Sequence, residues 1–273
     1  MMRMAIETIL LAAVAGLLVS VSAGALGPLV VYRGLSFLVS AAAHAALGGA
    51  ALALLLQSRL PWLDPTFGAA GMAVVVASVV GAAGKGGRSG GSMEVAVGVS
   101  FAGSMSLAVL LMYWLPPEKL PLVWGYLVGD ILLLSPVDLA TIALTATLSL
   151  AAITAFYREF VYSSFDPVGS EAHGLRVGLY DWIMLTVIAL SVSAMTKAVG
   201  AILVYALVVA PAGAAVRFAR GPKHCMALAF LISAGSIAVG LLLSAIVNVS
   251  PSAIAGMVSA AFYLISLLRG EGS

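Results

Sequence analysis

Apolar residues run along this chain in blocks too long for the interior of a water-soluble domain. Residues 8–32 and 34–58 each pass without one Asp, Glu, Lys or Arg. Each run exceeds the roughly 20 apolar residues that cross a hydrocarbon core as a helix. Further blocks follow, and the pattern predicts helices at about 5–31, 36–58, 66–84, 93–115, 138–157, 178–197, 200–217, 225–247 and 251–268. The breaks fall at Arg33-Gly34, from Pro61 to Pro65, in the Gly-rich stretch 85–92, at Pro116-Pro117 and at Gly221-Pro222, where turn chemistry ends a helix. The seventh block is short, follows Gly200 and contains Pro211, so a broken or half-crossing helix is expected there. The expected fold is an all-α, polytopic transmembrane bundle of eight or nine spans, forming a single membrane domain over 1–273. Between 122 and 137 the apolar piece around Trp124-Gly125-Tyr126 is too short to span, which predicts a re-entrant or short helix packed on protein. The first run is expected to be a span, since it is too long for a cleavable signal peptide and others follow it.

Composition agrees with the pattern. The 273 residues are 62% hydrophobic and 9% charged, against about 25% charged in soluble domains. A net charge of +2 gives no reason to expect a nucleic-acid partner, whereas membrane lipid is a required one. A single cysteine, Cys225, excludes an intrachain disulfide and a cysteine-based zinc cage. Nine basic residues (Arg33, Lys85, Arg88, Arg158, Arg176, Arg217, Arg220, Lys223 and Arg269) fall at one set of span ends, and four (Arg3, Arg59, Lys119 and Lys197) at the other. Basic residues concentrate in cytoplasmic loops, so the N-terminus is expected outside and the C-terminus inside if there are nine crossings.

Few residues offer chemistry. Gly81-Ala82-Ala83-Gly84-Lys85-Gly86 has the wrong spacing for a phosphate loop and puts Gly86 where a magnesium-binding hydroxyl belongs. Gly87-Arg88-Ser89-Gly90 mimics a protease serine motif but falls in a hydrophilic loop. ATP hydrolysis would therefore rest with a partner. His44 is the ionisable side chain placed deepest, about eight residues into the second span and so near the midplane. Ser40 and Gly48 lie four residues to either side, on the same helical face. Neutral imidazole suits zinc, iron and related ions; a histidine bonded to a neighbouring helix is the plainer alternative. Asp130 reads either as an outer gate or as an ordinary solvated acid, and Asp138, after Ser135-Pro136, as a helix cap or an outer-mouth acid. Lys197 is expected to snorkel to the interface. His173 and His224 are expected in solvated loops, and the 11 methionines as gap-fillers. On the cytoplasmic side, Asp166-Pro167 reads as a cap and first turn and Gly174 as a stop, giving one short amphipathic helix.

Four stretches together resemble the permease subunits of the zinc, manganese and iron type of metal-ion ABC importers. They are Gly27-Pro28-Leu29-Val30-Val31-Tyr32-Arg33-Gly34 with Ala43-His44-Ala45 and Gly48-Gly49; Tyr126-Leu127-Val128-Gly129-Asp130 through Asp138; Phe165-Asp166-Pro167 with Glu171-Ala172 and Gly174; and Val199-Gly200-Ala201 leading to Pro211. The resemblance implies a homodimer, and no cofactor bound by the chain itself. It also implies a cytoplasmic ABC ATPase docked through Asp166, Pro167, Glu171, Ala172 and Gly174, and ATP on that subunit. An extracytoplasmic metal-binding protein would feed the outer mouth. His44 and Ser40 become transient contacts for a divalent metal, with Asp130 as a gate; Gly48, Gly49, Gly200 and Pro211 become structural positions. The family commonly carries an acid four residues before the histidine, and here that place holds Ser40. The loss of a carboxylate implies weaker binding, or a different ion or chelate. The rival reading is a secondary transporter of a small solute driven by an ion gradient. It calls for midplane carboxylates that the spans do not offer.

Overall fold

The structure, a computed structural model, describes residues 2–84, 90–129 and 131–269. Asp130 and the stretch 85–89, which holds the last two residues of the phosphate-loop look-alike and most of the serine-motif look-alike, lie outside the described residues. The helices are α1 (Met2–Tyr32), α2 (Phe37–Leu56), α3 (Pro65–Ala83), α4 (Gly90–Trp114), α5 (Leu120–Val128), α6 (Pro136–Ala155), α7 (Tyr157–Phe165), α8 (Pro167–Ala172), α9 (Val177–Val199), α10 (Leu203–Phe218), α11 (Pro222–Val247) and α12 (Pro251–Arg269). Short 3₁₀ turns at Pro117–Lys119 and Ile131–Leu133 flank α5. Eight of these helices are long and apolar enough to cross a membrane, and α10, at 16 residues, is the shorter ninth segment.

Local chemistry sets the helix starts. Proline stands at the first turn of α3, α6, α8 and α11, where its missing N–H costs nothing. Asp64 caps α3 by accepting from the Thr66 amide at 2.8 Å, and Ser135 with Asp138 forms a reciprocal capping box on α6. Where one short amphipathic helix was expected between the spans, the chain makes two: α7 continues α6 after a break at Phe156, and Asp166 then caps α8.

Small residues bring the helices together. Gly49 of α2 and Gly68 of α3 meet backbone to backbone, so a side chain at either would overlap the other helix. Gly48 packs on Ser104 and Ala108 of α4, and a Cβ on Gly27 of α1 would lie 2.6 Å from the Val208 carbonyl of α10. Lipid gives no hydrophobic drive for helices to associate, so close van der Waals approach of this kind is what holds a bundle. α1 runs antiparallel to α11, through Gly16–Ile237 and Gly24–Phe230; α6 runs antiparallel to α9. One end of the bundle therefore gathers Arg33, α7, α8 and Asp181, and the opposite end gathers Lys119, α5, Asp138 and Lys197.

The break between α9 and α10 is built against α5. Gly129 and Gly200 both hold positive φ, at 65° and 89°, and their backbones touch. The Ala201 amide donates to the Tyr126 carbonyl at 2.9 Å, so carbonyls left open at the end of α5 find partners in the turn. Irregular backbone at this depth is tolerated because protein covers it.

Candidate functional site

α2 is the innermost helix, with 89% of its membrane-length window buried. From Leu38 to Ala51 its apolar side chains are almost wholly enclosed by α3, α4, α9 and α10. Apart from the far end of the helix, where Leu52 and Leu56 are exposed at 36% and 37%, the exposure that remains follows one stripe: Phe37 at 45%, Ser40 at 9% and His44 at 8%. These positions step by three and four residues, so they form a single narrow seam along the helix. Ser40 and His44 are the polar side chains on it.

The ring of His44 is held in place. Its Nδ1 lies 2.8 Å from the Ser40 backbone carbonyl, which can only accept, so Nδ1 carries the proton and Nε2 the lone pair. Among the described residues Nε2 has no hydrogen-bond partner, and it is not sealed from the surroundings. Phe101 of α4 packs edge-on against the ring with centroids 4.7 Å apart and touches Phe37 at 5.0 Å. An imidazole fixed through one nitrogen and open at the other is the usual arrangement of a metal-binding histidine. The contact to Ser40 runs through its carbonyl, not its hydroxyl, so the hydroxyl remains available on the same seam. Among the described residues no three His, Cys, Asp or Glu side chains converge to hold a metal. His173 and His224 make only local helix-end bonds, to the Gly169 carbonyl and from the Arg220 amide.

At the Lys119 end, Asp138 does more than cap α6. One carboxylate oxygen takes the Ser135 amide and hydroxyl, and the other takes Lys197 Nζ at 2.5 Å. Lys197, its side chain 42% exposed, thus reaches an acid on the neighbouring helix. Thr66, Tyr126 and Ser193 surround this pair and enclose a pocket of about 10 Å³, the scale of one water molecule. The buried Tyr126 hydroxyl has no hydrogen-bond partner among the described residues. Lys119 closes the end of α2 by donating to the Leu54 carbonyl at 2.8 Å and to Gln57 at 3.1 Å.

At the opposite end, Arg33 in the α1–α2 turn pairs with Asp181 of α9 and donates to the Ser163 carbonyl of α7. Both side chains are nearly buried, at 13% and 14% exposure. Tyr32 stacks on Phe165 with centroids 4.8 Å apart. The segment α7–α8 is therefore fastened to the turn from which α2 departs toward His44. Sequence reasoning noted Arg33 and passed over Asp181; an acid in the first turns of an otherwise apolar span was the available signal. Phe101 carried no signal, being one apolar residue among many.

A profile described as the ABC 3 transport family matches residues 5–270. The chain is 28% identical over 256 residues to the manganese import system permease protein ScaB of Streptococcus gordonii, covering 93% of this chain and 88% of that protein. It is 26% identical over 268 residues to the high-affinity zinc uptake system membrane protein ZnuB of Haemophilus influenzae, covering 97% and 98%. Among solved structures, PsaBC of Streptococcus pneumoniae in complex with Fab superposes with a TM-score of 0.79 at 24% identity, over 94% of this chain and 90% of that one. At that identity the likeness speaks for the fold.

Proposed function

We propose, because the chain belongs to the ABC 3 transport family, that it is the permease of an ATP-driven importer for a divalent transition-metal ion. The observation that carries the metal reading is His44, its Nε2 lone pair unpaired on the open seam of the innermost helix. The manganese and zinc uptake proteins among its relatives support the same cargo class. Two copies face each other along their α2 seams, and the ion passes between paired His44 rings. Each contact is one imidazole per protomer, with Ser40 hydroxyl nearby, so the ion is held weakly enough to leave. The ATPase docks at α8, where Asp166, Pro167, Glu171, Ala172 and Gly174 sit, and an external binding protein delivers the ion at the Asp138 end. Closure of the ATPases moves α8 and α7, and the Arg33 junction passes that motion to the foot of α2.

The test is metal uptake and ATPase stimulation by the reconstituted complex, with manganese and zinc supplied in turn. Stimulation by one of them in the parent protein, lost in His44→Ala, supports the reading. Equal uptake by His44→Ala would remove His44 from the path.

A further inference from the structure

On the far side of the molecule from the His44 seam, α1, α6 and α11 leave an open groove of about 710 Å³. None of these three helices is among the main neighbours of α2. Its floor lies where α1 and α11 approach most closely, at Gly24 against Phe230. Leu150 of α6 and Met226 of α11 contribute to an apolar lining. The groove ends at the start of α7 and α11, where Arg158 and Lys223 both line it and both are exposed. Lys223 Nζ lies 5.3 Å from the centre of the Tyr157 ring, which holds it at the rim. Glu159 is the one acid there. Among the described residues neither cation forms an ion pair.

We propose that this groove binds one anionic phospholipid of the cytoplasmic leaflet, with an acyl chain along α1, α6 and α11 and its phosphate between Arg158 and Lys223. The chain lies in a bilayer, so the apolar groove is bathed in acyl chains. The basic rim falls at the end that also carries Arg33, Arg176, Arg217 and Arg220, to which the sequence assigns most basic residues and which is the cytoplasmic side by the positive-inside rule. Basic pockets between membrane helices on that side suit anionic headgroups, and each Lys or Arg contributes about a fivefold preference. Uncharged detergent would leave both cations unsatisfied, and a zwitterionic lipid would bring a choline cation beside its phosphate, offsetting the attraction of the two side chains. The bound phosphate would bridge α7 and α11, elements that have few other ties to each other at this point.

The experiment is native mass spectrometry of the purified full-length permease, titrated with phosphatidylglycerol and phosphatidylcholine of identical acyl chains. The parent protein should retain one phosphatidylglycerol and prefer it about fivefold, as two cations opposed by one acid would give. Arg158→Gln with Lys223→Gln should erase the preference while leaving phosphatidylcholine binding unchanged. Ala227→Trp, which fills the groove from an exposed position and keeps both cations, should lower occupancy by both lipids. Equal binding of the two lipids to the parent protein would overturn the proposal. So would a preference that survives the double substitution, or phosphatidylglycerol occupancy that Ala227→Trp leaves unchanged.

Discussion

At His44 the backbone decides the chemistry. The Ser40 carbonyl fixes the tautomer, and Phe101 fixes the plane of the ring. His44→Gln keeps polarity but has no imidazole lone pair, so metal-stimulated ATPase activity should fall at least about tenfold, the scale of losing a partner in a metal's shell. His44→Ala should behave alike, and a variant that keeps full stimulation would show that the ring lies off the path. Ser40 makes the opposite prediction. Ser40→Asp places a carboxylate one turn from the imidazole, on the same seam. Metal affinity, read by isothermal titration, should rise by about tenfold, and turnover should slow because release becomes harder. Faster turnover with unchanged affinity would show that residue 40 does not meet the ion.

At the scale of elements, the junction of α1, α7 and α9 rests on one nearly buried ion pair. Arg33→Gln alone leaves the Asp181 carboxylate without its partner, and Asp181→Asn alone strands the guanidinium. Removing one member of such a pair costs about 3 kcal/mol or more, whereas neutralising both costs less. Thermal unfolding in micelles should therefore rank the double substitution above either single one. Additive losses would show that the two charges do not interact. A second element-scale prediction concerns the α2–α3 contact. Gly49→Val puts a side chain where the Gly68 backbone lies, so the helices must separate and the yield of folded protein in membranes should collapse. Gly71→Val, where a side chain meets open space, should be tolerated. Much of this scale was legible in sequence, because span length, Pro at first turns and Gly-Gly runs each have one structural meaning. Asp166-Pro167 read directly as the start of α8. The second helix α7 was not legible, since no Gly or Pro marks its break from α6 at Phe156. Lys197 could not be placed by hydropathy either: whether a lysine meets an interface or an acid on another span is a tertiary fact.

At the scale of the whole molecule, the seam on α2 bears on the proposed pairing of two copies. A helix enclosed along most of its length by its own chain, yet exposed at Phe37 with Ser40 and His44 keeping a narrow residual opening, either faces lipid there or faces a mate. Lipid is the poorer occupant, because a hydroxyl and an imidazole nitrogen would go unsatisfied in hydrocarbon. Cys225 is fully buried, and Cys225→Ser clears the background for a direct test. In that background Phe37→Cys, at the mouth of the seam, should crosslink to its counterpart in native membranes under mild oxidation. Leu242→Cys, 70% exposed on the outer face of α11, should not. Crosslinking at 242 with none at 37 would place the partner on the wrong side of the bundle and leave His44 facing lipid, and with it the proposed path between two copies would fall.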